Sequence, residues 1–82
     1  MSRTEVRLPP LGDEAGDEAT VSVFFRGPGE EIKADDDLVE MITDKAAFTV
    51  PSPVTGTIVS IEVAENDVVK VGEVLAVVEA PD

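Results

Sequence analysis

Cysteine, histidine, tryptophan and tyrosine are all absent from the 82 residues. Without cysteine the chain has no disulfide framework, no thiol nucleophile and no thiolate metal site. Without histidine it lacks the commonest general base and the commonest transition-metal ligand. Missing both, it cannot assemble a Ser-His or Cys-His catalytic unit. Three Phe are the whole aromatic complement, so no stacking platform for bases or sugars is evident. Positive charge is also scarce: six Lys and Arg stand against eighteen Asp and Glu, a formal charge of −12. A surface of that sign repels nucleic acid phosphate and anionic lipid, so neither nucleic acid nor membrane is expected as a partner. The acidity favours solubility, and it steers the chain toward basic patches on partner proteins.

Long apolar runs are missing too, and none approaches the ~18–20 residues that a bilayer-spanning helix needs. Met1-Ser2-Arg3-Thr4 carries no apolar segment of the secretory kind. That points to a cytoplasmic location, or to an organelle matrix if a transit peptide has been removed. The length suffices for one domain, residues 1–82 with a core at about 5–80, expected to be monomeric. A domain of this size buries only about 60% of the surface its unfolded chain exposes, so its core has to be economical.

What the chain does contain is β-structure. Val and Ile dominate its apolar residues, and both favour pleated, half-buried surfaces. Side chains alternate in short runs such as Val21, Val23, Phe25, and Pro and Gly punctuate at close intervals. About eight strands are predicted, near 4–8, 18–25, 31–33, 38–43, 47–50, 55–63, 68–70 and 74–79. The best helical candidate, Ala34 to Met41, opens on Asp35-Asp36-Asp37 and reads instead as a turn into a strand.

The chain also repeats itself. Displaced by 37 positions, Thr20 falls on Thr57, Lys33 on Lys70 and Leu38 on Leu75. Val21 meets Ile58, Phe24 meets Ile61, Glu30 meets Asp67, Ile32 meets Val69, and Ala19 meets Gly56. The match runs without a gap from about Ala19 to Thr43. Upstream, Val6 to Leu11 echoes Phe48 to Val54 at an offset of 42. The excess of five implies an insertion in the first half, carried by Gly12-Asp13-Glu14-Ala15-Gly16-Asp17, which is polar enough to be a surface loop. A duplicated β unit suggests two sheets related by pseudo-symmetry and packed face to face over one core.

The halves join at Thr43-Asp44-Lys45-Ala46, between two predicted strands, so the segment reads as a tight hairpin turn. Asp44 suits a turn because its carboxylate can bond the backbone two residues on. Lys45 then projects into water. Lys33 and Lys70, at equivalent points of the repeat, read as strand-edge or turn residues, and Lys45 alone stands at the seam.

The segment Met41-Ile42-Thr43-Asp44-Lys45-Ala46-Ala47-Phe48, followed by Pro51-Ser52-Pro53-Val54-Thr55-Gly56, resembles the attachment segment of lipoyl domains in 2-oxo acid dehydrogenase complexes. In that family Asp-Lys-Ala sits at a hairpin tip, and Pro-x-Pro-x-x-Gly follows the next strand. Leu8-Pro9-Pro10-Leu11-Gly12 is similar to the family's opening strand and turn, and Glu18-Ala19-Thr20-Val21 to its Glu-Gly-Thr segment, with Ala in place of Gly. Gly29-Glu30 and Asn66-Asp67 stand where the family has its two Gly-Asp turns. The likeness covers residues 5 to 80. It implies a flattened eight-stranded barrel-sandwich hybrid, two four-stranded antiparallel sheets with two-fold quasi-symmetry.

It also implies a role. Lys45 would bear lipoic acid in amide linkage, with Thr43, Asp44 and Ala46 recognised by the lipoylating enzyme and by partners. The chain would be a non-catalytic carrier, a swinging arm taking acyl groups and electrons between active sites. Implied partners are a lipoate ligase or lipoyl transferase, a thiamine-diphosphate-dependent 2-oxo acid dehydrogenase, an acyltransferase core and a dihydrolipoyl dehydrogenase. The family's loop between its first two strands influences partner choice, which marks Gly12, Asp13, Glu14, Ala15, Gly16 and Asp17 as a second site. Ala80-Pro81-Asp82 fits the start of an Ala/Pro-rich linker or the end of a free-standing carrier.

Biotin carriers share the fold but flank their lysine with methionine, whereas here the neighbours are Asp44 and Ala46. A glycine-cleavage carrier is longer and has added helices. An unmodified barrel-sandwich module, or an acidic interaction protein of another fold, gives Asp44-Lys45-Ala46 at the seam no purpose. Two features depart from the pattern: Phe24-Phe25-Arg26-Gly27-Pro28-Gly29, which puts a Pro between glycines before its turn, and the acidic Asp35-Asp36-Asp37. The adjacent Phe24 and Phe25 cannot both face the core of a flat strand.

Overall fold

A computed structural model describes residues 2–11 and 16–81. The described residues form eight strands and no helix: β1 (Ser2–Arg7), β2 (Glu18–Phe24), β3 (Glu31–Ile32), β4 (Asp37–Ile42), β5 (Ala47–Pro51), β6 (Gly56–Ile61), β7 (Val68–Lys70) and β8 (Val74–Ala80). Alternation sets their faces: in β2, Ala19 and Val21 are buried while Glu18 is exposed and Thr20 half-exposed. The strands make two four-stranded antiparallel sheets, ordered β1-β8-β6-β3 and β5-β4-β2-β7. The expected architecture is present.

The two-fold repeat is exact in topology. Exchanging β1 with β5, β2 with β6, β3 with β7 and β4 with β8 converts one strand order into the other. The turns repeat as well. Gly29 and Asn66 both have positive φ (87° and 76°), as do Asp35 and Gly72 (73° and 91°). Each of these pairs is 37 residues apart, and Asn and Asp are the non-glycine residues that best tolerate that conformation. The hydrogen bonds repeat in turn: Glu30 Oε2 accepts from Gly27 N–H at 2.6 Å, and Asp67 Oδ2 from Ala64 N–H at 2.9 Å.

Bulges let leucines reach the core. The β4–β5 register skips Leu38 and the β1–β8 register skips Leu75. An extra residue bends the strand locally, so the neighbours Leu38 and Val39, like Leu75 and Ala76, can all be fully buried. Val6 and Val50, Val21 and Ile58, Ile32 and Val69, and Met41 and Val78 are buried in matched pairs, and Leu8 and Ala19 complete the core.

Pairing corrects one expectation. Val6 lies opposite Ala76 and Val50 opposite Val39, so Val6 matches Val50 at an offset of 44, where 42 was read from the sequence. Seven residues, rather than five, separate this offset from 37. The sequence alignment had set Pro9 on Pro51, but hydrogen bonding sets Leu8 on Ser52. Leu8 N–H bonds Glu73 O and Ser52 N–H bonds Asp36 O, at 3.0 and 2.9 Å. Ser52 is wholly buried, and its hydroxyl donates to Val54 O at 2.6 Å.

The adjacent phenylalanines divide as strand geometry requires: Phe24 packs against the core and Phe25 is 42% exposed. The Ala19 and Gly56 mates differ for a steric reason. A Cβ at Gly56 would lie 2.2 Å from the backbone oxygen of Glu79, whereas Ala19 is accommodated and buried. Gly56→Ala is therefore expected to cost about 2–3 kcal/mol in urea unfolding. Ala19→Gly should cost only about 1 kcal/mol.

Candidate functional site

The β4–β5 hairpin is closed by Ile42 opposite Ala47. Beyond that pair Thr43 N–H donates to Ala46 O at 2.8 Å. The Thr43 hydroxyl accepts from the N–H groups of Lys45 and Ala46, at 3.2 and 3.1 Å, and lies 3.2 Å from Ala46 O as a donor. One side chain thus satisfies the turn's backbone donors. The sequence reading gave this task to Asp44. Its carboxylate is exposed and makes no hydrogen bond or ion pair with the described residues, because the register places Thr43, one residue earlier, at the mouth of the turn.

Lys45 is exposed at the tip, between exposed Asp44 and Ala46. Neither ion pair found among the described residues involves it; they join Arg3 to Glu79 and Arg7 to Glu5. Lys33 and Lys70 are also exposed, but they sit at the ends of β3 and β7. There their carbonyls accept from Asp36 and Glu73 N–H, both at 3.0 Å. Ser2 pairs with Ala80 at the far end of β1 from the Pro9–Leu11 segment that approaches Lys45.

Of the expected loop, Gly12, Asp13, Glu14 and Ala15 lie outside the described residues. Gly16 and Asp17 are exposed, and both line a recess with Ile42, Thr43, Asp44 and Val68. The structure thus brings the end of the loop beside the hairpin. Among the described residues no group of acidic side chains is arranged to hold a metal ion.

An outward-facing row beside the hairpin was missed in the sequence. Ala47 pairs with Ile42, Ile42 with Thr20, and Thr20 with Val68, across the whole sheet. Ile42 is 43% and Val68 60% exposed. The equivalent row of the other sheet is Arg3, Glu79, Thr57 and Glu31. The repeat carried the missing signal, since it aligns Ile42 with Glu79 and Val68 with Glu31.

A family model described as that of biotin-requiring enzymes matches residues 4–78. The fold is similar to the lipoyl domain of the 2-oxoglutarate dehydrogenase complex from Azotobacter vinelandii, with a TM-score of 0.75 and 29% identity, covering 96% of this chain and all of that one. The chain belongs to the biotinyl/lipoyl carrier family, as a domain of the lipoyl type. Lipoyl domains carry lipoic acid covalently on a lysine.

Two curated relatives of this lipoyl domain are larger. The succinyltransferase component of the 2-oxoglutarate dehydrogenase complex of Bartonella vinsonii is 47% identical over 77 residues, which are 94% of this chain and 18% of that protein. The acetyltransferase component of the pyruvate dehydrogenase complex of Corynebacterium glutamicum is 42% identical over 73 residues, 89% of this chain and 11% of that protein. The chain therefore spans less than a fifth of either. Urea carboxylase of Kluyveromyces lactis shares the fold alone, with a TM-score of 0.80 at 15% identity over 96% of this chain and 6% of that one.

Thr43→Val keeps the shape of the residue and removes the hydroxyl. It should lower stability by about 1 kcal/mol and speed amide exchange at Lys45 and Ala46, as read by urea unfolding and NMR hydrogen exchange.

Proposed function

We propose that Lys45 is the lysine that bears the lipoyl group, and that residues 1–82, with a core at about 5–80, act as one carrier domain in a 2-oxo acid dehydrogenase complex. The observation that carries this reading is a lysine exposed at a hairpin tip whose backbone is held by Thr43. A free primary amine is what amide formation with lipoic acid requires. The residues present fit that group, because nothing among the described side chains pairs with the amine or covers it. When bound, the group supplies a dithiolane able to take up an acyl group with two electrons.

The chain's own contribution is position. Four methylenes of Lys45 give reach, while the turn and the two sheets hold the base of the arm still. Tethering raises the effective concentration of the arm at each site it visits. Asp44 and Ala46 replace the methionines of a biotin carrier and favour lipoylation by a lipoate ligase or lipoyl transferase. No residue of the domain performs acid-base chemistry. The chemistry belongs to a thiamine-diphosphate-dependent 2-oxo acid dehydrogenase, an acyltransferase core and a dihydrolipoyl dehydrogenase.

Expression with a lipoate ligase, followed by intact mass and peptide mapping, should place one lipoyl adduct on Lys45 and none on Lys33 or Lys70. Lys45→Arg should abolish it. Modification by biotin ligase alone, or by neither enzyme, would overturn the assignment.

The dehydrogenase meets the arm through the Gly12–Asp17 loop, whose described residues Gly16 and Asp17 line a recess with Thr43 and Asp44 of the hairpin, and through the row Ala47, Ile42, Thr20, Val68. Replacing Ile42 and Val68 by Glu copies the charges of the opposite sheet. That change should leave the melting temperature and lipoylation intact while lowering kcat/KM for reductive acylation about tenfold, or ~1.4 kcal/mol. Shortening the loop should act in the same direction, and unchanged acylation in both variants would refute this contact surface.

A further inference from the structure

An apolar hollow of about 310 Å3 lies beside Lys45, lined by Pro9, Pro10 and Leu11 after β1 and by Thr43, Lys45 and Phe48 of the hairpin. Leu11 and Phe48 are half-buried and pack against the core. No carboxylate among the described residues lines it, on a chain that has eighteen. Its volume is at the low end of ligand pockets, which run from ~300 to 1,000 Å3.

The two-fold repeat supplies a comparison within the molecule. At the other end, Phe48 is matched by Thr4, since Phe48 lies opposite Met41 and Thr4 opposite Val78. The end bearing Lys45 therefore has a phenylalanine in its hollow where the matched position carries a threonine.

We infer that this hollow seats the apolar part of the group attached to Lys45: the dithiolane and its alkyl chain fold back onto Pro10, Leu11 and Phe48 while no partner is engaged. The inference rests on lipoylation of Lys45. Amide formation removes the lysine's charge, so the arm becomes a neutral, largely apolar chain that water solvates poorly. Its tether begins in the lining of the hollow, and the entropy lost on closing so short a loop grows only slowly with length. Burying part of the alkyl chain offsets that loss. The seat is shallow enough to empty when a partner's site offers the arm more contact, since occupancy follows differential affinity. Between visits it shields the disulfide from other thiols.

The test uses the isotope-labelled, lipoylated domain, with intact mass and peptide mapping first confirming the adduct. NMR should show NOEs from dithiolane protons to the Leu11 methyls and the Phe48 ring. A neutral phosphine should reduce the dithiolane about tenfold more slowly than in Leu11→Thr/Phe48→Thr, a variant with the same charge that removes both apolar walls and should lose the NOEs. If the double variant does not fold, Leu11→Ser alone should show weakened NOEs and a partial rise in rate. An adduct missing from Lys45 overturns both the carrier assignment and the seat. An adduct on Lys45 without NOEs, and with rates equal in wild type and variant, overturns the seat alone.

Discussion

The two halves of the chain do not fold side by side; they interlock. β1 and β3 from the first half lie in one sheet with β6 and β8 from the second, and β5 and β7 lie with β2 and β4. Neither half contains a complete sheet. Hydrogen bonds at the crossings are reciprocal: Gly29 N–H donates to Ile58 O and Asn66 N–H to Val21 O, both at 2.8 Å. In return Ile58 N–H donates to Glu30 O and Val21 N–H to Asp67 O, both at 2.9 Å. A chain this short has little core to spend on independent units, and interlocking makes every buried pair serve both sheets.

The proposed site residues lie where this symmetry breaks. The scaffold is duplicated in strand order, bulges, turn conformations and buried pairs, so those features serve folding. Among the described residues, the hairpin tip, the row of Ile42 and Val68, and the hollow of Leu11 and Phe48 are not duplicated. All three gather at the end of the molecule where Lys45 projects. At the opposite end the equivalent positions carry Arg3, Glu79, Thr57 and Glu31, with Thr4.

Strand positions were legible because alternation and turn residues act between near neighbours. The turns at Gly29 and Asn66 were legible for the same reason, and the 37-residue repeat followed from its gapless spacing. The β1–β5 match was misread because prolines offered a tempting alignment. What decides it is the bonding of Leu8 to Glu73 and of Ser52 to Asp36, which joins distant segments. The turn's acceptor was misassigned by one residue. Asp and Thr are both turn formers, and only the pairing of Ile42 with Ala47 puts Thr43 at the mouth.

By itself the sequence determined the strands, the duplication and the exposed lysine at the seam, because side-chain alternation and turn chemistry are local. Only the tertiary structure decided that Val68 joins Ile42 in one row, and that Leu11 and Phe48 meet beside Lys45. Those meetings depend on sheet order and register, which are settled by packing two interlocked halves over one core and leave no pattern among adjacent residues.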